Sequence, residues 1–288
     1  MKRRDKSRIN ETFTSCVKEV KSYSFPYSLS VVSNLSVSVI FPNTPAAATL
    51  SAIELEKRVQ AFNTRRTLMR SNPSLFISKT RLSVRQLPAF ATERTLKRLA
   101  LHAVRTFEDD VKKGTREGLT ADELHEDQKE NAMDVDGENP QKRKKKQGER
   151  YTAVRQAKIV RLQDRVDPIT GKGRSKGYGF LEMMTHADAL RVLRWANNNP
   201  DVEGLMGGWW KEELGDILKK LEGEKKKSEE ELARVKRVKD RIAELEGEKA
   251  KKGGKTLVME FSIENIQVVR RRDEKQKVWI LSLVISFI

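Results

Sequence analysis

The sequence predicts an α+β domain in which a four-stranded antiparallel sheet is backed by two helices. Three observations predict it. Between residues 79 and 263 the apolar spacing alternates between period 2 and helical spacing in the order strand, helix, strand, strand, helix, strand, which is the split βαβ order. An octamer rich in glycine and aromatic residues, 176–183, falls on the third strand of that series. Finally, 34% charged and 6% aromatic residues are poor material for a core built from all 288 residues, so one modest domain with polar extensions is expected.

The elements follow in chain order. Residues 1–50 hold no useful periodicity and read as a disordered leader. A secretory signal would place an unbroken apolar run behind the basic Met1–Arg8, and a mitochondrial presequence would avoid Asp5, Glu11 and Glu19. Ser51 and Glu54 make a capping-box pattern, and Ile53, Leu55, Val59 and Phe62 lead an amphipathic helix over 51–71, closed by Asn72-Pro73. The domain then runs over 79–263. Its first strand is Arg81–Leu87, with Leu82 and Val84 inward and Ser83 and Arg85 outward. Leu96, Leu99, Ala100, Ala103, Val104 and Phe107 mark a helix behind Thr92 as cap. Residues 110–150 read as a disordered insert, because nine acids and one lysine lie between Glu117 and Glu138 and a basic block, Lys142–Lys146, follows. That block reads either as a nuclear import signal or as a solvated charge run.

The second strand is Val154–Val160, with Ala157 and Ile159 inward, and the basic, glycine-rich stretch Asp167–Lys176 reads as a long turn. In the third strand Tyr178, Phe180 and Glu182 alternate with Gly179, Leu181 and Met183. Ala189, Leu190, Leu193 and Ala196 mark the next helix, ended by Asn197–Pro200. Residues 201–255 form an insert in which Leu214, Ile217, Leu218 and Leu221 make one stripe. Leu232, Val235, Val238, Ile242 and Leu245 make another behind Ser228–Glu231, which predicts a coiled-coil-like helical hairpin. Leu257, Met259 and Phe261 share a face of the fourth strand. Residues 264–288 are a C-terminal extension whose apolar tail, Val278–Ile288, is about half the roughly 20 residues that span a bilayer, so no membrane partner is expected.

Charge narrows the partners. Lysine and arginine number 58 against 41 acids, a formal net charge of +17, which favours a polyanion, with nucleic acid ahead of an anionic membrane. The single cysteine, Cys16, forms no internal disulfide, and no Cys/His cluster has zinc spacing, so neither a metal nor a cofactor is expected. His102, His125 and His186 have no paired nucleophile, and 171–177 fits neither the Walker nor the dinucleotide spacing. No catalysis is expected.

The octamer Lys176-Gly177-Tyr178-Gly179-Phe180-Leu181-Glu182-Met183 carries the functional signal. Alternation sets Tyr178 and Phe180 side by side on the open sheet face, where unstacked bases can lie on them, and the glycines are expected to leave room beside the rings. Stacking is worth roughly 1–3 kcal/mol per base, and Lys176 can meet a phosphate. Two aromatics two residues apart are by default core residues. Here Leu181 and Met183 already supply the opposite, buried face. Lys158, Lys172 and Arg174 add positive charge nearby, and each reads equally well as merely solvated. Glu182 and Glu260 are expected to project from the same face and to repel phosphate within a Debye length of about 8 Å.

The octamer resembles RNP1, the signature of the RNA recognition motif (RRM), with Met183 alone lacking the ring at the last position. Leu82–Leu87 resembles the companion RNP2 motif, with Ser83 where family members offer an aromatic. Arg85, two residues on, then either substitutes by guanidinium stacking or phosphate contact, or is a solvated surface arginine. The stretches 72–88, Asn197–Pro200 and 258–265 are similar to the last RRM of the fungal nucleolar protein 4 family, over about residues 50–272. That resemblance implies a ferredoxin-like βαββαβ RRM sandwich, and with the charges placed above the expected RNA-binding site is Tyr178, Phe180, Lys176, Arg85, Ser83, Lys158 and Arg174. It also implies a nuclear, nucleolar factor in ribosomal RNA processing and large-subunit biogenesis, with precursor ribosomal RNA and pre-ribosomal proteins as partners. The family's earlier RRMs are not in this sequence, which reads as a fragment or a misassembled gene model. The leader and tail depart from the basic, polar flanks the family implies and are expected to be translated intron. The rival reading is a protein-interaction module in which the helical insert docks a partner, with Trp209-Trp210 as anchors.

Overall fold

A computed structural model describes residues 39–42, 44, 47–48, 50–124, 152–223, 229–247, 256–272, 274–275 and 278. The leader up to 38, Cys16, His125, the basic block 142–146, Ser228 and the tail beyond 278 lie outside these residues.

The elements are α1 Ala52–Ser71, β1 Leu75–Arg85, α2 Glu93–Lys112, β2 Val154–Val166, β3 Gly173–Met183, α3 His186–Ala196, α4 Asp201–Gly223, α5 Glu229–Gly247 and β4 Val258–Asn265. The four strands form one antiparallel sheet in the order β2-β3-β1-β4. With α2 and α3 on one face, this is the predicted α+β architecture, compatible with an RRM-like fold. Leu82 and Val84 from β1, Leu181 and Met183 from β3 and Met259 and Phe261 from β4 meet Leu96, Leu99, Ala100, Ala103, Leu190 and Leu193 in one core cluster. The two helices that back the sheet both enter through a threonine cap. Thr92 and Thr95 bond reciprocally at the start of α2, and Thr185 accepts from the Asp188 amide at the start of α3.

Several boundaries move. β1 begins at Leu75 rather than Arg81, because an irregularity between Ile77 and Leu82 sets five steps of β1 against two of β4 and breaks the alternation. His186, 2% exposed, donates from Nδ1 to the Lys79 carbonyl in that bulge at 2.9 Å and stacks near Phe261, so it is a structural histidine. β2 and β3 extend as a hairpin to Val166 and from Gly173, so the turn is 167–172 rather than 167–176. Asp167 closes it by accepting from the Thr170 hydroxyl at 2.7 Å. The stretch 110–124, read as part of a disordered insert, is built into the body. α2 runs to Lys112, Arg116 donates to the Arg194 carbonyl at 2.8 Å, and Glu123 pairs with Arg194.

Helix α1 follows its predicted bounds with Ser51 as cap, yet Ile53 is 66% exposed. Its inward line is Arg58, Phe62, Arg65 and Met69, at steps of 4, 3 and 4. Hydropathy misses this face because two of its four residues are arginines. The helix reaches β4 through an arginine: Arg65 bonds the Phe261 carbonyl and so satisfies one backbone acceptor of that edge strand.

The insert folds as the α4–α5 hairpin around Trp210, Leu214, Leu221 and Val238, while Leu232, assigned to that stripe, is 54% exposed. Trp209 turns to the body instead, edge-on to His102 of α2 at 5.5 Å with Arg98 over its ring. Arg94–Asp216 and Arg98–Glu212 ion pairs at 2.7 and 2.6 Å fasten α4 to α2. From α5, Arg234 donates to the Ile169 carbonyl at 2.9 Å and so holds the β2–β3 turn. Among the described residues no helix is long and apolar enough to cross a membrane, and no group of His, Cys, Asp or Glu could hold a metal ion.

Candidate nucleic-acid interface

The sheet face opposite α2 and α3 gathers the predicted residues. Along β3, Arg174, Lys176, Tyr178 and Phe180 alternate outward while Gly179, Leu181 and Met183 are buried. Strand register places Phe180 between Ser83 on β1 and Lys158 on β2, and sets Arg85 opposite Tyr178. All seven residues therefore share one face. Tyr178 is 39% exposed and Phe180 is half-buried.

The glycines serve a different purpose from the expected room beside the rings. A Cβ on Gly179 would sit 2.6 Å from the Lys158 carbonyl oxygen, so its bare Cα is what lets β2 approach β3. Gly177 holds φ +79°, a left-handed conformation that a side chain would strain.

Electrostatics differ most from expectation. Glu260 does face this side, but it is 4% exposed, bonded by Arg85 and by Arg65 of α1 at 3.0 Å. Burial lowers the Arg65 pKa, and the Glu260 charge and hydrogen bond partly offset this. Glu182 is paired with Arg155 at 3.0 Å. Both acids are thus neutralised by arginines and present little net repulsion to a phosphate. Arg85 is spent on Glu260, and Lys172 is paired with Glu93 at 3.3 Å. The side chains of Lys158, Arg174 and Lys176 are exposed and make no ion pair or hydrogen bond among the described residues. Among the described residues of this face, these three are the cations left open to a polyanion.

Two residues of the face were missed. Arg81 lies over the Phe180 ring, its Cζ 4.7 Å from the centroid, and Arg65 walls the face from α1. Alternation with Ser83 and Arg85 would have placed Arg81. Between α1 and β3 runs a groove of about 290 Å³ lined by Arg65, Ser83, Arg85, Tyr178, Phe180 and Glu260. A larger apolar groove of about 940 Å³ follows another side of α1, past Val39, Phe41, Leu55 and Val59, and touches none of the seven predicted residues.

The chain is similar to human RNA-binding protein 28, with 25% identity over 166 residues. The matched region is 58% of this chain and 16% of that protein, so the chain spans about a sixth of the curated relative's length. No family model matches the chain, and no solved structure matches it.

Proposed function

We propose that this chain binds single-stranded RNA on the open sheet face, as an RRM, and contributes no catalysis. The observation that carries the reading is the adjacency of Tyr178 and Phe180 on that face with three cations around them, Lys158, Arg174 and Lys176, whose side chains make no ion pair among the described residues. Aromatic rings accept bases by stacking while flexible cations follow the phosphates, a combination that binds RNA without needing a deep pocket. The relative named for RNA binding supports the same reading.

The finer assignment follows the resemblance to the fungal nucleolar protein 4 family. We place the chain in the nucleolus, on precursor ribosomal RNA and beside pre-ribosomal proteins, in large-subunit biogenesis. The rival reading, a hairpin that docks a partner protein, loses its anchors, since Trp209 packs on α2 and Trp210 is 3% exposed inside the hairpin.

The deciding experiment titrates a fluorescent single-stranded RNA with the full chain and with a Tyr178→Ala/Phe180→Ala double variant. Binding should fall about 100-fold or more in the variant, with the circular dichroism spectrum retained. Equal affinity in both proteins would remove the reading. Crosslinked RNA from cells should be enriched in ribosomal precursor, and a spread over messenger RNA without that enrichment would contradict the nucleolar part.

A further inference from the structure

Ser83 looks like a defect in the platform, yet the structure puts a functional group in the space it leaves. Behind that small side chain lies the 290 Å³ groove, close to the lower bound of about 300 Å³ for small-molecule pockets and thus of a size for one base. Its far wall is Glu260. Arg65 and Arg85 both bond to Oε2 of that carboxylate, whereas Oε1 has no partner among the described residues. A buried carboxylate held by two guanidiniums, with one oxygen open to the groove, is an acceptor beside donors. The β3 aromatics line the other wall.

We infer that this groove is a base-reading pocket selective for guanine, with Glu260 as the specificity-determining residue. The inference rests on the RNA-binding reading above and deepens it. Guanine alone among the four bases carries two adjacent donors, N1–H and the N2 amino group, next to an acceptor, O6. The donors match Glu260 Oε1, and O6 matches the remaining guanidinium donors of Arg85 or Arg65. Uracil offers one N3–H between two carbonyl oxygens that the carboxylate repels. Adenine and cytosine each pair an amino donor with an adjacent ring-nitrogen acceptor. Because the two arginines fix the carboxylate before RNA arrives, the pocket needs no rearrangement to discriminate.

The test uses the full chain and labelled RNA hexamers: hexauridine, and the same strand with one guanosine, adenosine or inosine placed at each position in turn. One guanosine position should tighten binding at least about tenfold over hexauridine. Inosine, which lacks the amino group, should fall between the two, and adenosine should gain little. A second variant, Ser83→Phe, fills the groove while leaving Glu260 and its arginines in place. It should lose the guanosine preference, so that strands with and without guanosine bind it alike. Equal binding of all hexamers by the natural protein overturns the inference and leaves the RNA reading standing, provided Tyr178→Ala still weakens binding. If no hexamer binds, both fall. A guanosine preference that survives in Ser83→Phe places the reader elsewhere and also overturns it.

Discussion

The guanidinium of Arg81 lies over the ring of Phe180, Cζ 4.7 Å from the centroid, and is held there by Glu264 at 2.7 Å. One of the two aromatic platforms is therefore already faced by a cation, and the exposed ring on this sheet is Tyr178. A base approaching Phe180 meets the plane of a guanidinium, which stacks on bases much as an aromatic does.

The first prediction separates the two rings. Tyr178→Ala should weaken RNA binding by about 5- to 150-fold, the equivalent of the roughly 1–3 kcal/mol a stacked base is worth, with little change in melting temperature because the ring is exposed. Phe180→Ala should cost both affinity and stability, since this ring is half-buried beneath Arg81. Anisotropy titrations paired with thermal melts distinguish these outcomes.

The second prediction concerns Glu260. Its carboxylate joins α1 to the sheet through Arg65, whose side chain is 11% exposed, and to β1 through Arg85. Removing one partner of a buried pair strands the other charge without solvation. Glu260→Ala should therefore destabilise the protein by about 3 kcal/mol in urea titrations, and amide exchange in α1 should accelerate. Arg85→Ala should cost less, because Arg85 is 43% exposed and Arg65 remains.

The core and the order of strands were legible because apolar side chains declare their faces by period. Leu82 with Val84, Leu181 with Met183, and Met259 with Phe261 fall where alternation puts them. What hydropathy does not encode is charge turned inward. Arg58 and Arg65 occupy the buried line of α1, and the α1–β4 contact is invisible to any scale that scores arginine as surface. The same limit applied at the site. The idea that an arginine stands in for the missing aromatic at Ser83 pointed to Arg85, but a long side chain goes to the nearest anion, and Glu260 takes Arg85 while Arg81 reaches Phe180. The β2–β3 hairpin is longer than the sequence suggests because its glycines look like a turn, whereas Gly173 is there for close approach: a Cβ would stand 1.9 Å from the Leu162 carbonyl oxygen.

The third prediction follows from that crowding. Gly179→Ala places a methyl 2.6 Å from the Lys158 carbonyl oxygen, which is backbone and cannot swing away. β2 must shift from β3, at a cost of about 1–3 kcal/mol. RNA affinity should fall with it, because Lys158 and Phe180 are a cross-strand pair whose spacing this glycine sets. Unchanged stability in chemical denaturation would mean that the two strands are not so closely apposed in solution.

The fourth prediction is a pH dependence centred on Glu93, at the start of α2. Burial alone would raise its pKa. It is outweighed by the Arg161 hydrogen bond at 3.0 Å, a hydrogen bond to the Glu93 backbone, and attraction to Arg161 and Lys172, so the carboxyl titrates below the usual range. A carboxylate with a depressed folded pKa adds stability that is fully present above the unfolded value, about 4.3, and is lost as pH falls through the folded value. Glu123, held down in the same direction by Thr120 and Arg194 against its own desolvation, adds to the slope. Urea midpoints should accordingly drop between about pH 5 and pH 3. Glu93→Gln should flatten part of that drop, and leave the part owed to Glu123. Because Arg161 also donates to the Gly173 carbonyl at 3.1 Å and Lys172 lies in the turn, protonating Glu93 releases both cations that tether the β2–β3 turn to α2. Amides of residues 171–173 should exchange faster in the natural protein at pH 3 than at pH 6, after correction for intrinsic rates, and should already be fast at pH 6 in Glu93→Gln. Protection there that is insensitive to both changes would show that Asp167 and Arg234 hold the turn without Glu93.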